Sequence, residues 1–126
     1  MLSSPLVLLT LLVSVGLSAL AQVCLKTGMI SPGVQSALAG DSAWQSARAV
    51  ATSAPVVGGL LLYGLGAMLW LYVLAKVELS QAYPFVGLSF IVTAVAGTLL
   101  FQEAMTLGRG FGTVLVVAGV ILVARS

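Results

Sequence analysis

Four long apolar stretches, none interrupted by a charged side chain, constrain this chain more than any other feature: Pro5 to Leu25, Pro55 to Ala75, Leu79 to Phe101 and Gly110 to Ala124. A hydrocarbon core about 30 Å thick is crossed by about 20 helical residues, so the first three are long enough to span a bilayer. The fourth is shorter and must either recruit residues from Leu107 onward or thin the bilayer around it. Strands are disfavoured, because the runs are continuous rather than alternating and an unclosed sheet leaves backbone groups without partners in lipid. The sequence therefore predicts an all-α, polytopic membrane protein. Residues 1–126 would form a single domain of four transmembrane helices, at 5–25, 55–75, 79–101 and 107–124.

Composition narrows the chemistry. Charged residues make up 6% of the chain and apolar ones 60%, against roughly 25% charged in soluble domains, which excludes a water-soluble globule. There is no His and one Cys, Cys24, so a histidine base, a Cys/His zinc site and an intrachain disulfide are all excluded. Neither an enzyme, nor a metal site, nor a cofactor is expected. The net charge of +2 comes from groups scattered along the sequence, not from the clustered basic face that nucleic acid requires. Ala19-Leu20-Ala21 imitates a signal-peptide cleavage site, but no Lys or Arg precedes the first apolar run, which argues against cleavage. Gln22-Val23 ahead of Cys24 argues against a lipoprotein and leaves a packed thiol.

The one sizeable polar segment, Lys26 to Ala54, opens with Ser31-Pro32-Gly33 and closes with Ser53-Ala54-Pro55. Val34, Leu38, Trp44, Ala47 and Val50 give it a ragged helical period, so it is read as a short interfacial helix or a mobile loop. The other connections, Lys76-Val77-Glu78 and Gln102 to Arg109, are tight and imply antiparallel neighbours. Lys76 and Arg125 fall on the side of both termini, and Lys26, Arg48 and Arg109 on the other. This near balance permits insertion in both orientations, as an antiparallel dimer would need; a single orientation set by a partner or by the weak bias stays equally open.

Ser14, Ser18 and Gln22 recur every four residues, drifting only about 40° per step around the first helix, and Lys26 continues the line to the membrane surface. Such a stripe is either hydrogen-bonding glue between helices or a binding surface, and Lys26 either snorkels or supplies its charge. Gly58, Gly59, Gly64, Gly66, Gly87 and Gly97 mark close helix approaches. Gly112 and Gly119, seven apart, share a face of the fourth helix and suit a seam with a second copy, which four spans need to enclose a pathway. Pro84 disfavours helical angles at Tyr83, so the regular third helix is expected to begin at Pro84. Tyr83 and Trp70 are interfacial belt residues or an aromatic rim over a polar site. Glu78 and Glu103 lie just outside spans, each with a cation nearby in sequence, Lys76 and Arg109, and surface pairing is expected for both.

The order of these features resembles the four-helix branch of the drug/metabolite transporter superfamily, which includes the small multidrug resistance proteins. Glu78-Leu79-Ser80-Gln81-Ala82-Tyr83-Pro84 resembles the start of the third helix there, and Phe101-Gln102-Glu103 its exit. The segment Gly112 to Val120 resembles the glycine-bounded stretch through which small multidrug resistance proteins dimerise. Ala21-Gln22-Val23-Cys24-Leu25-Lys26 is similar to the end of the first helix in subunits of the aminoarabinose-phosphoundecaprenol flippase. The chain departs from the multidrug members in lacking their first-helix glutamate: Ser18 stands about where it would fall, and no acid lies within any span. Proton-for-cation exchange then lacks its proton site, whereas Lys26, Lys76 and Arg109 near the span ends suit an anionic head group such as a phosphate.

The resemblance thus implies a dimeric, passive flippase of the bacterial inner membrane, moving a polyprenyl-phosphate-linked sugar or a similar anionic lipid. Its substrate would contact Lys26, Gln22, Ser18, Tyr83, Arg109 and Lys76, and its homodimer, or heterodimer with a paralogue, would meet at Gly112 and Gly119. The alternatives are an exporter of small cations or metabolites and a non-transporting subunit that stabilises a partner.

Overall fold

Serine followed closely by proline starts three of the helices. Ser4-Pro5, Ser31-Pro32 and Ser53-Ala54-Pro55 each place an extended serine at the N-cap and a proline in the first turn, where its missing N–H has no intrahelical partner to lose. The computed structural model describes residues 4–126; the first three residues of the expected domain lie outside them. α1 runs from Pro5 to Met29, α2 from Pro32 to Ala39, α3 from Ala43 to Thr52 and α4 from Ala54 to Lys76. The third long segment is composite: α5 (Leu79–Ala82), a 3-10 turn (Tyr83–Gly87) and α6 (Leu88–Leu100). α7 (Leu107–Ala124) closes the chain, and no strand occurs among the described residues.

Pro5–Met29, Ala54–Lys76, Leu79–Leu100 and Leu107–Ala124 are each long and apolar enough to cross a membrane. The fourth achieves this by starting at Leu107, with Thr106 as N-cap accepting the Arg109 N–H at 3.2 Å. Its 18 residues make about 27 Å of helix. Large apolar side chains such as Leu61, Met68, Phe111, Leu115 and Leu122 stand exposed around the bundle, an arrangement stable in lipid and not in water.

The segment between α1 and α4 is neither one helix nor a loop: Gly40 ends α2, and Ser42 caps α3 by accepting the Gln45 N–H at 3.3 Å. The Ser46 hydroxyl donates to the Ala37 carbonyl at 3.0 Å and ties the two helices together. Tyr83 departs from expectation, lying in the helical region at φ −62°, ψ −38°. Pro84 instead changes the hydrogen-bond pattern, and regular α-helix resumes only at Leu88 rather than at Pro84. Burial of Ala82 and Phe85 in the core outweighs the local preference of the residue before a proline.

α1 packs chiefly along α4, and their seam is set by glycine. A Cβ on Gly66 would lie 3.2 Å from the Ser14 carbonyl, one on Gly59 3.1 Å from the Ala21 carbonyl, and one on Gly28 2.9 Å from the Val56 N. Gly28 was not among the glycines expected at close approaches. Gly58 and Gly64 were, but they face open space. Val7, Leu11 and Val15 of α1, Val73 and Val77, Ala82 and Phe85, and Val120 of α7 form the apolar core, which fills one end of the bundle. Lys26 stands at the other end, in the last turn of α1.

Candidate functional site

A cavity of about 600 Å³ lies between α1, α4 and α6, and the polar stripe of α1 is one of its walls: Ser14, Ser18, Gln22 and Lys26 all line it. Tyr63, Gly66 and Trp70 of α4 face them, and Ser89, Thr93 and Gly97 of α6 form the third wall, with Tyr83 at the turn. Gln22, Tyr63, Tyr83 and Phe90 are exposed along its length, so the cavity opens to the outside of the chain. No residue of α2, α3 or α7 lines it.

The stripe changes character along its length. Ser14 is buried, 2% exposed, and its hydroxyl donates to the Gly66 carbonyl at 2.7 Å, which makes it the hydrogen-bonding glue of the α1–α4 seam. Ser18 is half-buried and Gln22 exposed, both presenting polar atoms to the cavity. Trp70 and Tyr83 meet edge to face, ring centres 6.4 Å apart at 70°, so both belong to the cavity rim.

At the mouth, Lys26 Nζ lies 3.7 Å from Glu103 Oε1, the one ion pair among the described residues. Both side chains are 47% exposed, and a pair so open is worth about 0.2–1 kcal/mol. Glu103 arrives there because the chain reverses sharply after α6. Phe101 and Glu103 both donate their N–H to the Gly97 carbonyl, at 3.2 and 3.0 Å, around Gln102 in the left-handed region at φ 56°. The carboxylate then lies on the bare face of Gly97, where a Cβ would be 2.5 Å from Glu103 Oε2. An acid outside every span is thereby a wall of the cavity.

This corrects two expected pairings. Glu103 pairs with Lys26 and not with Arg109, whose Nη1 donates to the Ala104 carbonyl at 2.6 Å. Glu78 has no ion-pair partner among the described residues, and Lys76 lies 5.9 Å from the centre of the Tyr72 ring. Of the six residues expected to bind substrate, Lys26, Gln22, Ser18 and Tyr83 converge on the cavity. Arg109 lines a second cavity of about 570 Å³ between α6 and α7, and Lys76 lines neither. Glu103 was missed as a site residue; its one sequence signal is a glycine six residues back, which only the reversal at Gln102 makes meaningful. Gly112 and Gly119 meet no neighbouring atom within 4 Å of where a Cβ would stand and leave one face of α7 open.

Three of the four helices able to span a membrane enclose an open, polar-walled cavity with a charged mouth, the architecture of a polytopic membrane protein. The EamA-like transporter family model matches residues 3–125, and the chain belongs to that family. It is 35% identical over 118 residues to the probable 4-amino-4-deoxy-L-arabinose-phosphoundecaprenol flippase subunit ArnE of Pseudomonas fluorescens strain Pf-5, covering 94% of this chain and 96% of that protein. It is 40% identical over 67 residues to the probable subunit of the same name from Pseudomonas aeruginosa strain UCBPP-PA14, where the match covers 53% of this chain and 58% of the relative. The corresponding protein of Enterobacter sp. strain 638 is 40% identical over 63 residues, 50% of this chain and 59% of that one. In these last two the match spans little more than half of the relative's length. No solved structure matches the chain.

Proposed function

We propose that this chain is a subunit of a passive flippase that carries a polyprenyl-phosphate-linked sugar, or a similar anionic lipid, across the bacterial inner membrane. The observation that carries the reading is the cavity itself: a cation, Lys26, at its mouth and uncommitted polar groups, Ser18 and Gln22, in its wall. A lipid phosphate would rest at Lys26, the sugar on Ser18, Gln22 and Tyr83, and the tail in the bilayer beyond the open side. The names of the ArnE relatives support the same substrate class. On this reading movement is downhill, driven by consumption of the lipid on the far side. The open face of α7 at Gly112 and Gly119 would meet a second subunit, either another copy or a paralogue. Arg109 and Lys76 stand apart from this binding surface, and no catalytic role is assigned to any residue.

One observation favours a second reading, export of small cations: Glu103 puts a carboxylate in the cavity wall. Mass spectrometry of lipid that co-purifies with the protein separates the two. A phosphate-linked glycolipid is expected; its absence from wild-type protein, with a bound organic cation in its place, would transfer the assignment to the exporter.

A further inference from the structure

We infer that Glu103 is a partner-exchanging residue: it pairs with Lys26 in the arrangement seen here and passes to Arg109, in the second cavity, when an anion takes Lys26. The inference rests on the proposed phosphate position at Lys26 and says how that position is freed of its counter-charge.

Placement carries the argument. α6 stands between the two cavities, and Phe90, Thr93 and Glu103 line both. Glu103 is the charged residue of the three. Lys26 lines the first cavity and not the second, Arg109 the second and not the first. A single carboxylate thus stands in a wall shared by two spaces, each with a cation of its own.

Neither cation is fully engaged. Lys26 Nζ lies 3.7 Å from Glu103 Oε1, longer than the roughly 2.7–2.9 Å of a close charge-assisted hydrogen bond. The Arg109 guanidinium donates from Nη1 to the Ala104 carbonyl at 2.6 Å, and its other N–H groups have no protein partner among the described residues. Ala104 follows Glu103 in the chain, so those free donors are anchored next to the carboxylate without pairing with it. The Glu103 N–H is bonded to the Gly97 carbonyl at 3.0 Å, whereas its carboxylate rests on the bare face of Gly97, which has no side chain to hold it. Rotation of the Glu103 side chain therefore changes partners while the backbone reversal stays as it is.

Charge balance sets the direction. An anion on Lys26 removes the counter-ion of Glu103 and brings a second negative charge beside it, a contact that opposes binding more strongly as water leaves. Passing to Arg109 relieves both effects. The carboxylate regains a cation, one able to bind it through two parallel N–H groups, and it leaves the cavity that the anion enters. The exchange also undoes the ion pair between the last turn of α1 and the reversal after α6, so occupation of the first cavity is transmitted to the second.

The test measures retention of a polyprenyl monophosphate, a probe without a sugar, by the full-length protein in detergent. Wild type should bind it, and Lys26→Ala should bind it about 10- to 100-fold more weakly. Arg109→Gln, although Arg109 does not line that cavity, should weaken binding about fivefold, the effect of one half-exposed ion pair, and Arg109→Lys should restore most of it. Glu103→Gln should bind more tightly than wild type, since no competing carboxylate remains. In that background Arg109→Gln should change nothing, which also reports that the arginine variant folds. An Arg109→Gln variant that binds like wild type would overturn the exchange. Equal weakening by Arg109→Gln in both backgrounds would make Arg109 a contact of the probe or a structural residue, and would overturn the exchange too. No binding by wild type, or equal binding by wild type and Lys26→Ala, would instead remove the phosphate from Lys26, and with it both this inference and the reading on which it rests.

Discussion

Glycines on one helix pair separate packing from flexibility at the scale of single residues. Gly28, Gly59 and Gly66 face backbone atoms of the opposing helix that cannot move aside, whereas Gly64 faces open space. Gly66→Ala or Gly28→Ala is therefore expected to lower stability by about 1–3 kcal/mol, the usual cost of overpacking, in denaturant titrations in detergent. Gly64→Ala should be neutral or stabilise by up to about 1 kcal/mol, because it only improves helix propensity. Equal effects at Gly64 and Gly66 would contradict the α1–α4 seam described above. Ser14→Ala should cost about 0.6 kcal/mol, a typical value for a side-chain hydrogen bond between membrane helices. The stripe of Ser14, Ser18, Gln22 and Lys26 was legible in the sequence because its period matches the helix, but its division of labour was not. Spacing places the four on one face; only the approach of Gly66 decides that Ser14 is glue while Gln22 stays available.

Among the elements, the four spans were legible to within a few residues, since uninterrupted apolar length leaves little choice in a bilayer. The third span was less so. Pro84 signals a break, yet local sterics do not say whether the chain leaves the helix or tightens into a 3-10 turn, and burial of Ala82 and Phe85 chooses the latter. The exit of that span was illegible: Gln102 carries none of the conformational freedom of glycine, and its φ of 56° follows from the turn it must make. Gln102→Gly is expected to raise stability by about 0.5–1 kcal/mol, and Gln102→Val to lower it by about 1–2 kcal/mol, by strain at positive φ. In a Cys24→Ser background, a bifunctional thiol reagent should cross-link Lys26→Cys to Glu103→Cys, readable by gel shift, less readily when Gln102→Val is added. Unchanged cross-linking would mean that the reversal does not depend on this residue's conformation.

For the whole molecule, one chain leaves the face of α7 around Gly112 and Gly119 open. If that face is the subunit seam, Gly119→Leu should shift the population in detergent from dimer towards monomer, and an unchanged dimer would place the interface elsewhere. Lys76 and Arg125 against Lys26, Arg48 and Arg109 give almost no charge bias. Two lysines added ahead of Pro5 should therefore move tagged termini to the cytoplasmic side; termini already found on one side only would rule out a dimer of opposed copies. Neither property can be read from a single subunit's packing, because both depend on contacts or an insertion history outside it.

Downhill conduction of an anionic glycolipid past Lys26, the function proposed for the cavity, can be tested in a single assay. The direct measurement is the rate at which a polyprenyl-phosphate glycolipid changes leaflets in proteoliposomes with no ion gradient, for wild type, Lys26→Ala and Lys26→Arg. Wild-type protein should equilibrate the lipid without a gradient. Lys26→Ala should slow movement about 10- to 100-fold through loss of one charge-assisted contact, and Lys26→Arg should restore most of it. Equal rates for all three proteins, or movement only under an imposed proton gradient, would contradict it.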